Sequence, residues 1–256
     1  MLGHKFAMGL DPALFARSVG LEPDPWQADV LRSPAKRMLL LCCRQSGKST
    51  TTALLALHTA SYYPGSLVLL LSPSLRQSSE LFRKVAGFYG ALAEPVPADA
   101  ETALRLELSN GSRVVSLPGT ESTVRGYSGV DLLVVDEAAR VEDSLYYAVR
   151  PMLAVSRGRM IALSTPWGKR GWYHKAWTEG GEAWQRVKVT AEECPRISAE
   201  FLAEERAAIG DWWYKQEYEC EFVETDESLF TYEQVTGAVS SDVAPLFAIG
   251  DDYDDE

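Results

Sequence analysis

The chain has 256 residues, 46% hydrophobic and 24% charged, a balance that fits a globular α/β protein and excludes a fibrous or wholly disordered one. Its net charge of −11 excludes a uniformly cationic nucleic-acid surface, so any polyanionic partner must be met by a local basic patch. Cys42, Cys43, Cys194 and Cys220 are spaced for neither zinc nor a disulfide framework, which predicts reduced thiols.

The N-terminal "MLGHKFAMGL" has no long apolar run and implies neither a signal peptide nor a membrane span. Asp11 to Val19 predicts a short helix, with Asp11 as cap and Pro12 at its first position. "EPDPWQADVLRSPAKR" gives a proline-broken entry and an amphipathic turn or two. "RMLLLCC" is a continuous apolar run, short enough for a strand buried on both faces. The loop "RQSGKS" follows, then a helix from about Ser49 to Ser61. "SLVLLLSPS" reads as a second buried strand. "SLRQSSELFRKVAGFYGAL" has helical spacing, with Leu75, Leu81, Phe82, Val85 and Phe88 on one side.

Two alternating runs flank Asn110-Gly111, a strong hairpin signal. "VDLLVVDEAAR" is a third buried strand that ends in two carboxylates. "SLYYAVRPMLAV" reads as a helix, "RMIALSTP" as a fourth buried strand and "AWQRVKVTAEE" as a more polar strand nearer an edge. From Ser198 two short helices are expected, broken at Gly210. The acidic end "GDDYDDE" reads as solvated and disordered. Buried strands alternating with helices predict an α/β fold, a mostly parallel central sheet with helices on both faces. Its crossovers should be right-handed and its ligands should gather at the carboxyl ends of the strands.

Two motifs fall at such strand ends. In "CRQSGKST", Gly47 permits the dihedrals that turn successive N–H groups toward a phosphate, and the following helix points its N-terminus at the same anion. Lys48 would bridge the β- and γ-phosphates of a nucleotide and Ser49 would ligate Mg²⁺. The first glycine of the usual Walker A pattern is replaced by Cys42. Arg44 either reaches the γ-phosphate or pairs with a nearby acid. Asp136 and Glu137 end a strand too apolar to hold charge without purpose. In a Walker B role the first serves the metal shell and the second polarises the attacking water.

Weaker signals flank these. Gln27 has the donor and acceptor that suit the edge of adenine, with Trp26 or Pro25 to stack on the ring. Ser164 and Thr165 at the fourth strand's end can pass on the state of the γ-phosphate. Lys169, Arg170, His174 and Lys175 alternate with Trp167, Trp172 and Tyr173 and suit either a nucleic-acid backbone or a plain structural loop. Arg125, in the glycine-flanked "TVRGYSGVD", can serve a neighbouring subunit's nucleotide or form a local salt bridge.

Together "PWQ", "CRQSGKST", "VVDEAAR", "LSTPWGKRGWYH" and the closing "YKQEYECEF" resemble the large terminase subunit of tailed bacteriophages, from about Trp26 to Phe222. The resemblance implies a RecA/ASCE-type P-loop fold: an ATPase core over 1–195, a helical lid over 196–226 and an acidic tail over 227–256. It implies a motor that hydrolyses ATP with Mg²⁺ to move double-stranded DNA into a procapsid. Such a motor is a ring, of five subunits by analogy, that docks on a portal, works with a small terminase subunit and acts in the cytoplasm of the infected or lysogenic host.

By the same likeness Gln27, Gln45, Ser46, Gly47, Lys48, Ser49 and Thr50 bind ATP, and Ser49 with Asp136 holds the metal. Arg44, Glu137 and, in trans, Arg125 are catalytic, Ser164 and Thr165 couple, and Lys169, Arg170 and Lys175 touch DNA. The family's RNase H-like nuclease is not expected after the lid, so DNA cleavage by this chain is not predicted. Two other readings stay open: one lobe of a helicase, which needs a second lobe, and a nucleotide-dependent docking module without turnover.

Overall fold

The structure is a computed structural model that describes residues 2–119, 124, 126–224, 234 and 237. Met1–Val223 forms one unit and Glu224–Glu256 a second. The expected acidic tail lies almost wholly outside the described residues.

In chain order come α1 (Leu2–Leu10), α2 (Pro12–Ser18), α3 (Pro25–Arg32), β1 (Arg37–Cys42), α4 (Lys48–Tyr62), β2 (Leu67–Ser72) and α5 (Leu75–Ala91). Then follow β3 (Ala98–Glu101), β4 (Arg105–Leu108), β5 (Arg113–Pro118), β6 (Leu132–Asp136), α6 (Asp143–Val149), β7 (Arg159–Ser164), α7 (Gly171–Glu179), β8 (Gln185–Val189) and α8 (Ala199–Glu217). The eight strands form one sheet in the order β3-β4-β5-β2-β6-β7-β1-β8. Every pairing from β5 to β8 is parallel; only β3–β4 and β4–β5 are antiparallel. The α/β sheet foreseen from the sequence is therefore present.

The four apolar runs became the centre of this sheet. β2 and β6 are buried at every residue, and β1 and β7 at all but their first. Strands covered on both faces cannot alternate polar and apolar side chains, which is why the sequence shows continuous runs. β8, more polar, lies at the edge beside β1. The Asn110-Gly111 hairpin forms with Gly111 at φ 82°, and Asn110 Oδ1 accepts the Ser112 N–H at 3.0 Å.

Caps fix the helices where the sequence placed them. Asp11 Oδ1 accepts from Ala13 N–H at 2.9 Å, and Ser198 Oγ accepts from Phe201 N–H at 3.2 Å. Gly210, at φ 77° and ψ 163°, breaks α8. Gly158 has a different reason: a Cβ there would stand 1.9 Å from the Val130 carbonyl oxygen, so the turn into β7 admits no side chain.

Three features depart from the sequence reading. Leu75, the first residue of α5, is 55% exposed; Leu81, Phe82 and Val85 carry the buried face. The N-terminal segment is a helix, α1, and leaves Phe6 and Leu10 exposed. β3 has no apolar alternation, since all four residues are exposed; its pairing with β4 makes it a strand.

Candidate active site

The Walker A segment sits between the end of β1 and the start of α4. Cys42, where the usual first glycine would fall, is still in the strand, fully buried and in register with Val189 of β8. Extended backbone there needs no glycine. The turn itself uses left-handed conformations at Gln45 (φ 59°) and Gly47 (φ 92°). Ser46 is buried and donates its hydroxyl to the Cys43 carbonyl at 3.0 Å. Gly47 caps α4 with no side chain, which leaves the first N–H groups of a 15-residue helix free to meet an anion. A Cβ on Gly47 would lie 2.6 Å from Gln27 Nε2.

Opposite this turn, β6 delivers its acids. β7 separates β6 from β1 in the sheet, so the two motifs face each other across one strand. Lys48 Nζ stands 3.8 Å from Glu137 Oε1, and Ser49 Oγ donates to Asp136 Oδ2 at 3.0 Å. Glu137 adopts φ 50° and ψ 42°, an uncommon choice for a residue with a side chain. Its N–H donates to Asp136 Oδ1 at 2.9 Å. Burial first, then the charge of Glu137, pushes the Asp136 carboxyl up to about 6, against the pull of Lys48 and Ser49. β7 ends between the two motifs with Ser164 and Thr165, both buried. Ser164 Oγ accepts the Ala139 N–H at 3.2 Å, which ties the β7 end to the turn after Glu137.

These groups open on a cavity of about 760 Å³ that Arg44, Gln45, Gly47, Lys48, Ser49 and Thr50 line together with Glu137 and Arg140. A smaller one of about 180 Å³ touches Ser49, Asp136 and Glu137. Among the described residues, no group of three or more His, Cys, Asp or Glu gathers as a metal cage. One hydroxyl and one carboxylate beside a phosphate cavity still fit Mg²⁺, a hard cation that keeps several waters and takes ligand oxygens for the rest.

Other expected residues are placed differently. Arg44 pairs its Nε with Glu217 Oε2 of α8, the acid-paired alternative, although it stays on the cavity rim. Gln27 is 3% exposed and its Oε1 accepts the Asp24 N–H at 2.8 Å; half of the amide expected to read adenine thus serves as a helix cap. Of the aromatic residues around Lys169, Trp172 and Tyr173 belong to the core and give bases no platform, whereas Trp167 is half-buried under Arg140. Tyr173 donates its hydroxyl to the Leu40 carbonyl at 2.8 Å, and Trp172 stacks on Tyr146 at 4.2 Å. Arg170 and Lys175 are exposed and Lys169 is half-buried. Arg125 lies outside the described residues.

The sequence reading missed three cationic groups. Arg140 brings Nε to 3.9 Å from Glu137 Oε2, with its guanidinium 3.9 Å over the Trp167 ring. Arg196 bridges Asp24 Oδ1 at 2.9 Å and the Ser46 carbonyl at 2.8 Å, and so straps the segment after β8 to the turn. Lys84 reaches both cavities from α5. Of these only Arg140 had a signal, because it closes the quoted "VVDEAAR".

Comparison with known proteins agrees with this geometry. The family model for the terminase large subunit, T4likevirus-type, N-terminal region matches residues 39–236. The large terminase subunit of Thermus virus P23-45 is 29% identical over 286 aligned positions, which cover 93% of this chain and 59% of that protein. That of Escherichia phage T5 is 26% identical over 79% of this chain and 48% of its own length. The chain thus spans about half the length of these relatives. Among solved structures, the ATPase domain of the Thermus phage P74-26 large terminase superposes with TM-score 0.73 and 26% identity, over 82% of this chain and 97% of that one. The HK97 large terminase, at 15% identity and TM-score 0.61 over 77% of this chain and 50% of its own, shares the fold. With a family match that takes in both strand-end motifs, the chain belongs to the terminase large subunits and corresponds to their N-terminal region.

Proposed function

We propose that this chain is an ATP-hydrolysing motor domain that moves double-stranded DNA into a procapsid. The observation that carries the reading is the approach of Lys48 Nζ to Glu137 Oε1, 3.8 Å apart at the mouth of a cavity capped by the α4 N-terminus. An ammonium, a helix N-terminus and a carboxylate converge where one terminal phosphoryl group and its attacking water would sit. In this reading Gly47, Lys48 and Thr50 bind the phosphates, and Glu137 orients the water and takes its proton. Ser49 and Asp136 would hold Mg²⁺, which when bound would neutralise phosphate charge.

Ser164 reports the position of the Glu137 turn to β7 through its bond with Ala139. The segment expected as a lid acts through α8, since Arg44 of the turn grips Glu217 of that helix. The assembled motor is a ring, five subunits by analogy with the family, that works on a portal with a small terminase subunit. The test of the core assignment is Lys48→Ala. Steady-state ATP turnover is expected to fall at least about 10²-fold with nucleotide affinity reduced as well. Wild-type turnover in this variant would overturn the site.

Arg44 gives a second, smaller test. Glu217 competes with a phosphate for the Arg44 guanidinium; the Arg44 side chain is 60% exposed and that of Glu217 10%. Solvent on the Arg44 side screens the pair to about 1 kcal/mol. Glu217→Gln is therefore expected to tighten ATP binding by up to about fivefold, read by titration with a fluorescent nucleotide. Weaker binding would mean that the pair builds the site instead of withholding Arg44 from it.

A further inference from the structure

A second cavity, of about 430 Å³, opens at the other end of the same strands. It lies beside the amino ends of β1, β6 and β7, whereas the Walker motifs occupy the carboxyl ends. Four cationic side chains line it: Arg32, Lys36, Arg157 and Arg159. Arg32 is committed to Asp11, with a bond of 2.7 Å. The other three have no ion-pair partner among the described residues. Asp131 also lines the cavity, but its Oδ2 accepts the Leu67 N–H at 2.9 Å.

Arg159 is the unusual member. Its Nε donates to the Ala35 carbonyl at 3.1 Å, while its Nη2 is buried without a partner. Burial lowers its pKa, opposed among the described residues by Tyr63 alone. Arg157 is held in a left-handed conformation, φ 53°, on the turn into β7. In a protein of net charge −11, this concave site thus gathers three cations without ion-pair partners against one carboxylate, Asp131. A desolvated guanidinium with a free donor is stabilised by an anion that it can grip with parallel N–H bonds, and a phosphate oxygen pair has that geometry.

We propose that this cavity binds a phosphoryl group, either free or on a nucleic-acid backbone, with Lys36, Arg157 and the Arg159 guanidinium as its ligands. The site is separate from the ATP site and does not depend on its assignment. The probes are inorganic pyrophosphate and a short DNA duplex, titrated by calorimetry against Lys48→Ala protein, in which the Walker A site is weakened.

One equivalent of pyrophosphate or duplex is expected to bind. The Kd should rise at least about tenfold in the exposed pair Lys36→Glu/Arg157→Glu, with the circular dichroism spectrum unchanged; in the Lys48 wild-type background this pair should keep basal ATP turnover. Arg159→Gln should act in the same direction. Pyrophosphate binding that duplex does not displace identifies a free phosphate ligand. Duplex binding whose salt dependence flattens in the charge-reversed pair identifies a nucleic-acid backbone. No saturable binding of either probe, or binding that the charge reversals leave intact, overturns the proposal.

Discussion

Glu137→Gln is expected to lower ATP turnover about 10²- to 10⁴-fold, the usual worth of a positioned general base, while nucleotide affinity holds or improves. The reasons are local. Glutamine keeps the shape of the side chain, and the φ 50° backbone that aims it is set by the turn after β6. What disappears is the carboxylate that would take a proton from water. The carboxylate 3.8 Å from Lys48 also competes with phosphate for that ammonium, so its loss does not weaken binding. Lys48→Ala has the opposite profile, with binding and turnover falling together. Single-turnover hydrolysis paired with nucleotide titration separates the two. Turnover within a few-fold of wild type in Glu137→Gln would remove Glu137 as the base. An equal loss of binding and turnover would assign it a structural role.

Much of this site was readable in the sequence because backbone rules and charge rules pointed the same way. An apolar run followed by Ser-Gly-Lys-Ser can hardly end except in a turn and a helix. A strand as apolar as "LLVV" does not finish in two carboxylates without a use for them. What escaped depends on pairings between segments far apart in the chain. Nothing near Arg44 in sequence tells that Glu217 will hold it, 173 positions later. Gln27 carries the right groups for a base edge, but whether its amide meets a ligand or the Asp24 N–H is decided by the local helix start. The Trp172 and Tyr173 rings illustrate the same limit from the other side. Aromatic residues between cations suit stacking on bases and packing on a core equally well, and only the burial of α7 separates the two. Arg196 was invisible for a like reason, since its partners Asp24 and Ser46 come from the other end of the chain.

A ring motor with a shared site makes a stronger demand, and Arg125 carries it. Its loop precedes β6 in sequence, and the reading as an arginine given to a neighbour rests on "TVRGYSGVD" and on the family likeness. Arg125→Ala alone is expected to cost about 10³-fold or more in turnover, as loss of an arginine finger does. Glu137→Gln alone is expected to be nearly as inactive. Mixed in equal amounts, the two inactive proteins should regain activity. A head-to-tail interface pairs the Glu137 of one subunit with the Arg125 of the next. With random assembly about one quarter of the interfaces then unite an intact Glu137 with an intact Arg125. Recovery should approach that fraction of wild-type turnover and should rise more than linearly with total protein concentration. The mixture also distinguishes the remaining readings. A docking module gives no turnover at any concentration, and a lone helicase lobe has no reason to be rescued by a second defective copy. Assembly of the mixture without rescue, checked by light scattering, would mean that Arg125 acts within its own subunit or not at all.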